Sequence, residues 1–89
     1  MRIRRRLVVH GVVQGVGFRA WVWRAAVQRG VAGSARNRLD GTVEVVLEGE
    51  PDAVEAVVRA CREGPRGAVV TEVELFDEEP EGLTGFSAG

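Results

Sequence analysis

Two helix-period stripes divided by a hairpin signal constrain this chain more than any other feature. Phe18, Val22, Ala25 and Ala26 form the first stripe, and no Gly or Pro interrupts Ala20 to Arg29. Val54, Val57, Val58 and Cys61 form the second, at steps of three and four. Pro51 suits a first helical position, and Asp52 and Glu55 suit the positive end of that helix's dipole. Gly30 stops the first helix, and Gly64-Pro65 stops the second. Between them, Val31 to Arg38 reads as a strand and Leu39-Asp40-Gly41 as a turn, with Asp-Gly the hairpin signal. Thr42 to Glu48 alternates, with Val43, Val45 and Leu47 inward and Glu44 and Glu48 outward.

Strands also flank this unit. Before the first helix, an arginine-rich start leads into Leu7-Val8-Val9, with Leu7 and Val9 on one side and Val8 and His10 on the other. After the second helix comes Ala68 to Asp77, whose apolar phase changes between Val70 and Val73. A bulge near Thr71-Glu72 reconciles the two registers. Gly85-Phe86-Ser87-Ala88 fits a short fifth strand at an edge, anchored by Phe86. The order β-α-β-β-α-β predicts an α+β fold, the ferredoxin-like plait, with an antiparallel sheet and two helices on one face. Eighty-nine residues suit a single domain spanning 1–89. In that topology strands one and two run parallel, with strand three between them. Their C-terminal ends then share one sheet edge, separated by roughly 10 Å.

The chemistry concentrates where the first strand meets the first helix, at Gly11-Val12-Val13-Gln14-Gly15-Val16-Gly17-Phe18-Arg19. Glycines let backbone N–H groups turn toward one point, and a helix start adds unpaired donors and partial positive charge. Arg19 sits at the junction, and its planar guanidinium can grip two oxygens of one phosphoryl group. A small oxyanion, phosphate above all, is the ligand this loop suits. It is not a Walker loop, since the Gly-Lys-Ser/Thr ending is missing and the chain has no lysine. It is too small to hold the two halves of a dinucleotide fold. A plain strand-to-helix turn with flexible glycines is the bland alternative.

Other features bound the function. A net charge of -1 offers no general attraction to nucleic acid or anionic membranes. An RNA-recognition domain shares this element order but stacks bases on central aromatics, and Arg4 to Val9 and Thr42 to Glu48 contain none. The single cysteine, Cys61, excludes an internal disulfide and lies on the buried stripe, as a core residue and not a nucleophile. No Cys/His spacing suits a metal, and no secretory signal or long apolar run stands out, so a reducing cytoplasm is expected. The six acids from Glu72 to Glu81 read as an exposed face that balances Arg2, Arg4, Arg5 and Arg6. Trp21 and Trp23 cannot both lie on the centre of one helix face. One is expected to cover the core edge and the other to be partly exposed, with an aromatic platform for a substrate or partner as the sharper reading.

Val13-Gln14-Gly15-Val16-Gly17-Phe18-Arg19 resembles the signature loop of the acylphosphatases. Gly33-Ser34-Ala35-Arg36-Asn37-Arg38-Leu39-Asp40-Gly41-Thr42-Val43-Glu44 is similar to that family's second motif, with Ser34 where the family usually has Trp. Gly64-Pro65, followed by Ala68, Val70 and Val73, and Gly85-Phe86 fit its later pattern. The resemblance implies hydrolysis of small acyl phosphates to carboxylate and inorganic phosphate, without metal, cofactor or phosphoenzyme. It implies that the backbone of Val13, Gln14, Gly15, Val16 and Gly17 cradles the phosphoryl group together with Arg19. It further implies catalytic roles for Arg19, in binding substrate, and for Asn37, in positioning the attacking water. The expected partners are the acyl phosphate and the phosphate product, with no nucleic acid and no membrane, for a monomer. The alternative is a catalytically weak module of the same fold that binds phosphate or an acyl phosphate. Related domains also occur in larger carbamoyl-transfer machines.

Overall fold

The apolar phase of each strand decides which face of the sheet the helices cover. In a computed structural model of all 89 residues the chain runs β1 (Ile3–Val12), α1 (Phe18–Gln28), β2 (Ala32–Asn37), β3 (Val43–Gly49), α2 (Pro51–Glu63), β4 (Val69–Glu78) and β5 (Phe86–Ala88). The strands form one sheet in the order β4-β1-β3-β2-β5. The first four pair antiparallel, as the ferredoxin-like plait requires. β5 adds to β2 in parallel, so the sheet is mixed and not purely antiparallel. The fifth strand is real, and Phe86 packs against the core as its anchor.

Leu7 and Val9 of β1, Ala35 of β2 and Val43, Val45 and Leu47 of β3 are fully buried in one cluster with both helix stripes. α1 contributes Phe18, Val22 and Ala26, and α2 contributes Val54, Val57, Val58 and Cys61. α1 begins two residues earlier than the Gly/Pro-free segment suggested, because Gly17 in a left-handed conformation already turns the chain into the helix. Gly30 ends it: the Val31 N–H donates to the Ala26 carbonyl at 2.9 Å and the Gly30 N–H to that of Val27 at 3.3 Å. The phase change in β4 is a bulge. His10 pairs with Glu72 and Gly11 with Val70, which leaves Thr71 without a partner and brings both Val70 and Val73 onto the core.

One expectation fails in an informative way. Glu48 lies on the face away from the helices, as alternation requires, yet it is fully buried. β4 and β5 occupy opposite edges of the sheet, so the segment joining them must cross its width. That segment lies over Glu48. The N–H groups of Glu81, Gly82 and Leu83 donate to Oε1 at 3.1, 2.6 and 3.2 Å, and Arg4 donates to Oε2 at 3.4 Å. Burial pushes this carboxyl up, but the three N–H groups and Arg4 outweigh it and hold it below the usual range. The acidic stretch also meets the arginine-rich start directly. Glu78 accepts from Arg4 at 3.0 Å and Arg6 at 2.9 Å, and Asp77 accepts from Arg5 at 3.1 Å.

Candidate active site

Strand pairing sets the spacing of the site before any loop is considered. Val9 of β1 pairs with Val43 of β3, and Val43 pairs with Asn37 of β2. The three residues form one row across the sheet, on the face the helices cover. Asn37 therefore stands two strands, roughly 10 Å, from the point where β1 approaches its loop. It ends β2 two residues beyond Ala35, whose side chain is wholly in the core.

The loop after β1 leaves its amides free. None of the backbone N–H groups from Gln14 to Ala20 donates to another group of the protein. Those from Phe18 to Ala20 are the ordinary orphans of a helix start, and no side chain caps them. Gly15 and Gly17 add to them with φ of 75° and 80°, a left-handed conformation that side-chain-bearing residues rarely adopt. Arg19, the second residue of α1, is half-buried. Arg2, Arg4, Arg5 and Arg6 all pair with carboxylates, while the guanidinium of Arg19 has no carboxylate within reach.

These groups line one cavity of about 460 Å³. Val13, Gly15 and Gly17 come from the loop, Phe18, Arg19, Ala20 and Trp23 from α1, Asn37 from β2 and Ala88 from β5. The structure thus brings Arg19 and Asn37, eighteen residues apart in sequence, to the same opening. Gln14 and Val16 do not line it. Val16 packs against the core. The Gln14 side chain instead donates from Nε2 to the Arg38 carbonyl at 2.8 Å and the Thr42 carbonyl at 2.9 Å. It ties the loop to the β2–β3 turn that follows Asn37. Asp40 shapes that turn by accepting from the Thr42 hydroxyl at 2.6 Å and the Thr42 N–H at 3.0 Å, and these two bonds hold its carboxyl below the usual range. Residue spacing gave no sign of the Gln14 tie, nor that Ala88 would reach the cavity.

His10, Cys61 and Trp21 lie outside this cavity. His10 meets Glu74 at 2.7 Å and lies outside the cavity. Burial pushes the Cys61 thiol up to about 12, so it is a core group with no thiolate at neutral pH. The two tryptophans divide as expected. Trp21 packs against the core and donates from its indole to the Ala60 carbonyl at 2.8 Å, while Trp23 stays 43% exposed at the cavity rim. No three His, Cys, Asp or Glu side chains converge as metal ligands, and no helix is long and apolar enough to cross a membrane.

Known proteins resemble this chain over nearly its whole length. The family model described as Acylphosphatase matches residues 5–88. An acylphosphatase of Thermococcus kodakarensis is 53% identical over 85 residues, which cover 96% of this chain and 93% of that protein. The crystal structure of acylphosphatase from Bacillus subtilis aligns with a TM-score of 0.94 at 38% identity, over 98% of each chain. Full-length HypF in its phosphate- and nucleotide-bound form aligns with a TM-score of 0.93 at 29% identity, over 100% of this chain and 12% of that one. Because the match spans the glycine loop, Arg19, Asn37 and both helices, this chain belongs to the acylphosphatase family of enzymes.

Proposed function

We propose that the cavity hydrolyses small acyl phosphates through Arg19, Asn37 and the loop amides, with no covalent intermediate. The observation that carries this reading is the run of unpartnered N–H groups from Gln14 to Ala20 beside an arginine without a carboxylate. Amides and guanidinium neutralise the phosphoryl oxygens without reorganising as charge shifts between them. The Asn37 carboxamide accepts and donates hydrogen bonds, and orients a water toward phosphorus. The water oxygen bonds to phosphorus, and the bond from phosphorus to the acyl oxygen breaks. The carboxylate leaves with the electron pair, and the water's proton passes to solvent or to the phosphate formed. A carboxylate of ordinary pKa near ~4 is a good leaving group, so positioning and charge stabilisation suffice. One domain over 1–89, acting as a monomer in the cytoplasm, is part of this proposal.

The test compares wild type, Arg19→Ala and Asn37→Ala on acetyl phosphate, with inorganic phosphate as a competitive inhibitor. Arg19→Ala loses at least ~10²-fold in kcat/KM, by analogy with removed oxyanion donors, and phosphate inhibition weakens with it. Asn37→Ala loses mainly kcat. Near-wild-type turnover by either variant refutes the assignment. Phosphate binding by the wild type without turnover would favour the non-catalytic binding module instead.

A further inference from the structure

We propose that Arg38, on the turn after β2, is a second cation of the site, one that draws doubly charged phosphoryl ligands toward Asn37 by its field and not by contact. This rests on the reading of the cavity as the acyl-phosphate site. A second opening, of about 450 Å³, meets that cavity at Asn37. It is lined by Asn37, Arg38, Leu39 and Asp40. The Asn37 carboxamide thus stands between two openings, with Arg19 in one and Arg38 in the other.

The backbone of Arg38 is held while its side chain is free. Its N–H donates to the Thr42 carbonyl at 2.9 Å, and its own carbonyl accepts from the Gly41 N–H at 3.2 Å and from Gln14 Nε2 at 2.8 Å. The Gln14 bond ties this position to the glycine loop, so the cation keeps its place relative to the free amides. Arg38 is exposed, and its guanidinium pairs with no carboxylate. Asp40 lines the same opening and opposes it, but Oδ1 of Asp40 is engaged by the Thr42 hydroxyl at 2.6 Å and the Thr42 N–H at 3.0 Å. Leu39, between the two, is fully exposed and adds no charge.

A phosphoryl group carries about two negative charges at neutral pH. A unit cation ~8 Å away in water changes its affinity about fivefold, and salt screens that attraction. The effect is the same in the ground state and the transition state, so it lowers KM and leaves kcat alone.

The experiment measures kcat and KM on acetyl phosphate, and the dissociation constant of inorganic phosphate by calorimetry, at about 20 mM and about 500 mM ionic strength. The proteins are wild type, Arg38→Gln, Arg38→Lys and Arg29→Gln. Arg29 caps the far end of α1, ~15 Å from Arg19 along the helix, and its loss removes the same charge. At low salt Arg38→Gln should raise KM and the phosphate constant about fivefold with kcat unchanged, and at high salt less than about twofold. Arg38→Lys should match wild type, because a field needs only the charge, and Arg29→Gln should stay close to it. A defect in Arg38→Gln that survives high salt, or that Arg38→Lys shares, is a contact effect and overturns action at range. Equal defects in Arg38→Gln and Arg29→Gln reduce it to net charge and overturn it too, as does no defect at all. Phosphate binding without turnover by the wild type refutes hydrolysis, while the phosphate constants still decide the role of Arg38. Failure of the wild type to bind phosphate overturns both.

Discussion

Replacing Glu48 with Gln should loosen the C-terminal part of the chain and cost about 2–3 kcal/mol at neutral pH. The magnitude comes from the groups around it. Oε1 receives three backbone N–H bonds, from Glu81, Gly82 and Leu83. A charged acceptor makes bonds roughly twice as strong as a neutral one, so a glutamine carbonyl in its place forfeits ~0.5 kcal/mol or more from each. The glutamine NH₂ then faces Arg4, a donor against a donor, for about 1 kcal/mol more. The loss has a ceiling, because the crossing segment can lift off and let water satisfy its amides. It spans four strand spacings, roughly 19 Å, in eight residue steps that reach about 27 Å when fully extended, so little slack remains. A loss of this size lowers the melting temperature by about 10–20 °C in a domain this small. Amide exchange at Gly82 and Leu83 should accelerate more than exchange in β1 and β3, since their partner is the one removed. The pH dependence gives an independent check. Glu48 has its carboxyl held below the ordinary value of 4.5, so its contribution is complete above that value and is lost as pH falls through the lowered one. The stability gap between wild type and Glu48→Gln should therefore be full at neutral pH and close as pH falls through the lowered value of the Glu48 carboxyl. Glu78 is also held low, by Arg6 and Arg4, and shares Arg4 with Glu48, so its titration enters the gap only through that guanidinium. A gap under ~0.5 kcal/mol at pH 7, or one that persists unchanged in acid, would refute the clamp.

Two further substitutions probe what holds the site. Gln14→Ala removes the two bonds that tie the loop to the carbonyls of Arg38 and Thr42, and should lower kcat/KM about tenfold through misplacement of Arg19 relative to Asn37. Circular dichroism should show an intact fold, and unchanged kinetics would mean the loop holds its shape without the tie. Gly33→Ala places a Cβ 1.7 Å from the Val46 carbonyl oxygen at a φ of 145°, where no side chain can yield because the obstacle is backbone. It should destabilise the domain by more than ~2 kcal/mol in urea titration, and a melting point equal to wild type would show that β2 and β3 can separate there.

The sheet was legible because its signals are local. Alternation in Val43, Val45 and Leu47 needs only neighbours, and the phase change around Thr71 marks its own bulge. Topology then carried Asn37 to the loop, since two parallel strands with one between them leave little freedom in where their ends lie. Glu48 was not legible for the opposite reason. Its alternation says outward, and outward usually means solvent. What covers it is an irregular segment more than thirty residues away, whose amides carry no side-chain pattern. The Gln14 tie is hidden in the same way, because its acceptors are carbonyls that every residue possesses. Sequence patterns report side chains, and both of these contacts are half backbone.

That division bears on how the site keeps its geometry. The distance between Arg19 and Asn37 is fixed mainly by ladder bonds through the row Val9, Val43 and Asn37, which no surface substitution touches. Their relative orientation depends on the weaker contacts, Gln14 to the turn and β5 against β2. β5 holds on by three residues and is reached only by the segment that Glu48 pins. Ala88, on the cavity wall, is therefore connected to Glu48 on the far face of the sheet through a short chain segment as well as through the β2 ladder. Glu48→Gln should then raise KM for an acyl phosphate that uses the wall beside Ala88 more than for one that does not, although no atom of Glu48 approaches the cavity.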